Sequence, residues 1–201
     1  MGDSTDDFFG QSITLNTDGT ILAIGATGSD ESGINSGRVT VYGWNEASLQ
    51  YKQRGKSIDG ERSGDSMGLC VSLSGDGMAL AVAPITGQAK VYGWDEAASN
   101  YVRVGLDTST GLGDSVWSLS LSGDGKMLAI GYNKGSDPGQ VKIYAWNNAA
   151  SNYIQLGKTL AGDAGGDQFG KSVSLTNSGR VLAVGAPNHG PGYVHIFTIE
   201  C

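Results

Sequence analysis

Few side chains in this 201-residue sequence have the chemistry for catalysis, and their spacing does not assemble it. The two histidines are His189, in the Gly/Pro-bounded segment NHGPG, and His195, at a strand position that Thr40, Lys90 and Lys142 hold in other copies of a repeat. No serine has a His and Asp partner set, and the two cysteines, Cys70 and Cys201, join no zinc-spaced cluster. The SGDG stretches lack the Lys-Ser/Thr ending and the following helix of a phosphate loop. The expectation is a chain that is not an enzyme. The carboxylates are the remaining candidates. Asp7, Asp65 and Asp167 each stand two residues before Phe9, Met67 or Phe169, with Asp114 approximately equivalent. Each is placed to accept hydrogen bonds from backbone amides of a neighbouring loop. The metal alternative is calcium held by several of these carboxylates together, although no dense oxygen-ligand loop is present. No other cofactor is expected.

The element that positions these residues is a strand–turn–strand unit present four times: ITLNTDGTILAIGAT, VSLSGDGMALAVAP, LSLSGDGKMLAIGY and VSLTNSGRVLAVGAP. Asp18-Gly19, Asp76-Gly77 and Asp124-Gly125 mark hairpin turns, and Ser178-Gly179 holds the fourth. Spacings of 58, 48 and 54 residues between them are those of four-stranded propeller blades. The expected fold is all-β: a β-propeller of four antiparallel four-stranded blades in one repeat domain, over about 1–58, 59–107, 108–160 and 161–201. In the first copy the strands are expected at Gln11–Asn16 (A), Ile21–Ala26 (B), Arg38–Trp44 (C) and about Gln50–Arg54 (D). Strand A puts Ile13/Leu15 and their equivalents on one face and Ser12/Thr14, Cys70/Ser72, Ser118/Ser120 and Ser172/Ser174 on the other. Large aliphatics facing small hydroxyls let neighbouring blades interlock near a crowded axis. The chain opens inside an inter-blade loop and ends after the fourth strand C. The last blade thus lacks its outer strand, or the four blades belong to a larger propeller, and self-association through the unfinished blade is open.

In an A-B-C-D blade the B–C and D–A loops share a rim. That rim carries Asp30, Glu31, Asn35, Asn133, Asp137, Asn188 and His189 as binding candidates. Turn chemistry alone also accounts for Asp and Gly there. Trp44, Trp94 and Trp146 end strand C in three copies. They are expected to pack between blades over the tyrosine of their own strand, with sugar stacking as the functional alternative.

The net charge of −7 argues against a nucleic-acid partner or an anionic membrane surface. No apolar window approaches a membrane span, and no signal peptide is expected. Cys70 replaces a strand-A serine, so a small buried side chain is expected.

Phe9-Gly10 with LAIGAT, and Phe169-Gly170 with LAVGAP, resemble the FG-GAP repeat of integrin α-type propellers, most closely FG-GAP-like repeat proteins of microbial eukaryotes. Met67-Gly68 with LAVAP is a weakened version, and Val116-Trp117 replaces the pair in copy three. The resemblance implies an extracellular setting and protein or glycan contacts. It does not bring calcium, because the DxDxDG loop is absent, and integrin-type propellers use seven blades. The expected function is protein or glycan recognition through the B–C and D–A rim. The alternatives are a lectin-like or calcium-assisted carbohydrate binder and, less favoured, a propeller hydrolase.

Overall fold

A computed structural model describes residues 4–85, 88–105, 115–133, 138–188 and 190–200. The chain forms four antiparallel sheets arranged as the four blades of a β-propeller, with no helix among the described residues. Blade 1 contains β1 (Phe9–Leu15), β2 (Ile21–Ala26), β3 (Arg38–Asn45) and β4 (Gln50–Gln53), with β5 (Ile58–Asp59) paired to the start of β3. Blade 2 is β6 (Cys70–Leu73), β7 (Ala79–Ala83), β8 (Lys90–Asp95) and β9 (Asn100–Arg103). Blade 3 is β10 (Ser115–Leu121), β11 (Met127–Asn133), β12 (Gln140–Asn147) and β13 (Asn152–Gln155), with β14 (Leu160–Ala161) paired to β12. Blade 4 stops at three strands: β15 (Ser172–Leu175), β16 (Val181–Ala186) and β17 (Tyr193–Thr198). The three-stranded last blade is as expected, and two of the other blades exceed the expected four strands. Blades 1 and 3 each recruit a two-residue fifth strand from the D–A crossing.

Each A–B hairpin is fixed by its own side chains. The Asp18 carboxylate accepts from the Thr20 amide at 2.9 Å and the Thr20 hydroxyl at 2.6 Å. Asp76 accepts from Ser74 Oγ and the Met78 amide, and Asp124 from Ser122 Oγ and the Lys126 amide. Asn16, Ser74, Ser122 and Thr176 then accept the amide of the first residue of strand B. These bonds move the Asp18 and Asp124 carboxyl groups. Hydrogen bonds from Thr20 hold Asp18 below its ordinary 3.8. At Asp124 burial opposes ionisation, yet the Ser122 and Lys126 bonds outweigh it and the carboxyl is again lowered. Glu61 is lowered by the hydrogen bond and charge of Lys90.

A group depressed in the folded state adds stability above its unfolded pKa and loses it as pH falls through the folded value. The melting temperature is therefore expected to be flat from neutral pH down to roughly pH 5, and to fall below about pH 4. Thermal unfolding at constant ionic strength measures this, and a flat profile to pH 2.5 would remove these carboxylates from the account.

The core lies between blades. Ile21, Ala23, Val39 and Val41 of blade 1 meet Leu73, Leu80 and Val82 of blade 2. Blade 2 then sets Ala81, Ala83 and Val91 against Leu121, Leu128 and Ile130 of blade 3. Blade 3 sets Met127, Ala129, Val141 and Ile143 against Leu175, Leu182 and Val184 of blade 4. Each blade thus shows a face of larger residues to the blade before it, and mostly smaller ones to the blade after. Burying each large aliphatic contributes about 1.5–3 kcal/mol.

The hydroxyl face of strand A does the fine joining. Thr14 Oγ1 accepts from the Leu73 amide, Ser72 Oγ from Leu121 and Ser120 Oγ from Leu175. Ser12 Oγ donates to the Gly68 carbonyl at 2.6 Å and Ser118 Oγ to that of Gly170 at 2.8 Å. Cys70 takes the same post in blade 2, its thiol reaching the Trp117 carbonyl at 3.2 Å, and burial pushes the thiol pKa up to about 11.

Candidate functional site on the loop rim

The rim is built where each B–C loop meets a D–A loop. The amides of Gly28, Ile85 and Asn188 donate to the main-chain carbonyls of Asp7, Asp65 and Asp167. The carboxylates of the same three aspartates turn back on their own loops. Asp7 accepts from the Ser4 amide at 2.8 Å, Asp65 from Glu61 and Arg62, and Asp167 from Ala164 at 2.8 Å. The amides are thus from the same loop, three or four residues away, where a neighbouring loop was expected. Among the described residues no group of three or more His, Cys, Asp or Glu side chains is set to hold a metal.

Phe8, Ser66 and Gln168, each just before the Phe-Gly or Met-Gly pair, all have positive φ, at 51°, 50° and 58°. A non-glycine residue there is strained, but its recurrence in three copies makes it a property of the repeat.

The B–C loop of blade 1, residues 27–37, is the longest described part of the rim. The Asp30 carboxylate accepts from the Asn35 amide at 2.7 Å, and Ser36 Oγ donates to the Ser29 carbonyl while accepting from Ser32. The following crossing clamps it from outside, with Gly64, Ser66 and Met67 amides donating to the Ile34, Asn35 and Ser36 carbonyls. Ile34 is left at the surface, 72% exposed. Arg38 bridges Glu31 at 3.2 Å and Asp59 at 2.6 Å, and Lys90 pairs with Glu61. Phe8, also exposed, lies against Gly28 in the adjoining loop.

Of the binding candidates, Asp30, Glu31 and Asn35 therefore share one ordered loop, and Asn188 sits at the blade-4 end of the rim. Asp114, Asp137 and His189, and the Asn133 side chain, lie outside the described residues. Sequence reasoning missed Ile34 and Phe8. Their signal was available: large apolar residues inside otherwise polar, glycine-rich loops.

The tryptophans do not pack over the tyrosine of their own strand. Trp44, Trp94 and Trp146 stand edge-on to Tyr51, Tyr101 and Tyr153 of strand D, with centroids 5.1–5.2 Å apart. Across-strand pairing puts the residue opposite closer than the residue two along. Arg54 of blade 1 lies 3.9 Å over the Trp94 ring, and Trp146 packs at the blade 2–3 interface.

No protein-family model matches the chain, and no curated protein matches it. Solved structures do resemble it. Sqt1 from Chaetomium thermophilum has 14% identity and a TM-score of 0.66 over 98% of this chain and 45% of its own. A putative 6-phosphogluconolactonase from Bacteroides uniformis has 13% identity and a TM-score of 0.57, covering 94% and 55%. The periplasmic gluconolactonase of Pseudomonas aeruginosa has 16% identity and a TM-score of 0.58, covering 94% and 57%. The expectation of a non-enzyme is corrected here: two of these neighbours are named as lactonases, so missing triads and zinc clusters do not set the fold apart from catalysis. At such identities the likeness carries the fold, and this chain spans about half the length of the solved propellers it resembles.

Proposed function

We propose that this chain is a recognition module of FG-GAP-like type, binding through the rim of B–C and D–A loops, and that its ligand is a protein segment carrying basic and apolar side chains. The observation behind this reading is the ordered blade-1 loop that holds Ile34 out in solvent beside Asp30 and Glu31. An exposed aliphatic on a hydrogen-bonded loop is an anchor whose ordering cost is already met in the free protein. The surrounding carboxylates and the net charge of −7 favour a cationic partner. The FG-GAP resemblance points the same way, toward protein or glycan contacts. Hydrolysis of a sugar lactone is the second reading, favoured by the two lactonase neighbours.

The test titrates short Lys/Arg-rich peptides with one or two leucines against the labelled protein, beside a glycan array with and without calcium and a gluconolactone hydrolysis assay. Salt-dependent shifts at residues 27–37, with affinity lost about tenfold or more in Ile34→Asp at unchanged melting temperature, are expected. Binding of glycans alone, or lactone turnover without peptide binding, would overturn the reading.

A further inference from the structure

Three internal interfaces repeat the same joint, and the two ends of the blade series carry its unmated halves. Leu73, Leu121 and Leu175 are 6–9% exposed against the preceding blade, whereas Leu15, at the same position in blade 1, is 53% exposed and Ile13 65%. Val39 and Val41 are at most 1% exposed against the following blade. Their blade-4 counterparts Val194 and Ile196 are each 64% exposed.

The polar parts are unmated in the same way. Leu73, Leu121 and Leu175 amides each donate to a hydroxyl of the blade before, but the Leu15 amide has no such acceptor among the described residues. Ser174 Oγ, the counterpart of Thr14, Ser72 and Ser120, has no such donor among the described residues. Around the axis the Thr17 amide donates to the Gly75 carbonyl, Gly75 to Gly123 and Gly123 to Asn177. That relay leaves the Asn177 amide at one end and the Thr17 carbonyl at the other.

The glycines carry it further. A Cβ on Gly25 would lie 2.0 Å from the Gly68 carbonyl oxygen of the next blade, and one on Gly131 would lie 1.9 Å from that of Gly170. The two halves of the Phe-Gly and Gly-Ala pattern thus mate between adjacent blades. At the one internal joint where Trp117 replaces the first glycine, Ala83 replaces the second. Gly10 and Gly185 are the halves left over. Both are still glycine, yet among the described residues a Cβ on Gly10 would meet nothing within 4 Å, and the atoms nearest one on Gly185 belong to Ser172 of its own sheet.

We propose that two copies of this chain close head to tail into one ring, the open face of blade 4 in each seated on the open face of blade 1 in the other. The partner is a second copy because the two faces fit as the internal joints fit, large residues and a free amide against smaller residues and a free hydroxyl. A pairing of like faces brings neither complement. Two arcs of this size match one ring, since each covers 45–57% of the solved propellers it resembles.

Sedimentation equilibrium from about 1 to about 100 µM tests this. The expected result is a particle of twice 20.7 kDa, compact by small-angle scattering. Leu15→Asp and Ile196→Asp, both at exposed positions, each weaken association about tenfold or more while keeping the circular dichroism of the parent. Mixing the two variants restores pairing, because each mixed dimer keeps one unaltered joint. A monomer at every concentration would overturn the proposal and leave further blades of a longer polypeptide as the cover. A rising ladder of masses would overturn closure at two, and a dimer indifferent to Leu15→Asp would overturn head-to-tail contact.

Discussion

Replacing Gly131 with valine is expected to lower the unfolding free energy by about 3 kcal/mol or more and the melting temperature by about 6–12 °C. The new Cβ would sit 1.9 Å from the Gly170 carbonyl oxygen and 2.6 Å from Ser118 Oγ. The hydroxyl can rotate away, but the carbonyl that accepts it is backbone of the next blade and cannot. Blades 3 and 4 must separate, and the apolar surface around Ala129, Val141 and Leu182 opens with them. The control is Gly185→Val, measured in dilute protein, where the close atom is only Ser172 Oγ at 2.5 Å. A cost of about 1 kcal/mol or less is expected there. Equal losses at the two glycines in denaturant titrations would show that strand propensity, not inter-blade approach, sets the requirement.

Truncating Phe169 to alanine is expected to cost about 3–5 kcal/mol, against about 1–2 kcal/mol for the same change at Phe9. Both hold the first place of a Phe-Gly pair. Phe169 is 1% exposed and has Tyr193, His195 and Phe197 edge-on or tilted at 6.1–6.4 Å. Its amide also donates to the Pro138 carbonyl at 2.8 Å, so it plugs the joint beside the residues that lead into strand C of blade 3. Phe9 begins blade 1 and, among the described residues, has one edge contact, with Tyr42. Chemical unfolding of the two variants gives the comparison. Similar losses would mean that the ring of aromatic neighbours adds little and that the joint relaxes around the cavity.

Much of the architecture was legible because it is written in short-range chemistry. Strand B was expected at Ile21–Ala26 and stands there, since a positive-φ glycine at Gly19 and small-aliphatic alternation fix both ends. Strand A begins at Phe9, two residues early, because the register shifts between Phe9 and Ser12 and a bulge absorbs Gly10. The fifth strands β5 and β14 were not legible: two residues such as Ile58–Asp59 show no period, and only the position of β3 makes them strand. The inter-blade mating of Gly25 with Gly68 was equally hidden, since the two stand 43 positions apart in the chain. At the rim, polar candidates such as Asp30 were easy to pick by type, yet its carboxylate is occupied by the Asn35 amide. What the loop offers outward is Ile34, and only the folded loop reveals which of its side chains is left over.

The hydroxyls of Tyr51, Tyr101 and Tyr153 reach from the outermost strand to the carbonyls of Gly19, Gly77 and Gly125 in the hairpin turns. Each is a strut tying the periphery of its blade to the hub. Tension applied at the circumference of blades 1 to 3 therefore passes into the turns without first peeling the strands apart one by one. The three described strands of blade 4 carry no such strut, so its hairpin turn is tied to the rest of the molecule through the inter-blade joint alone.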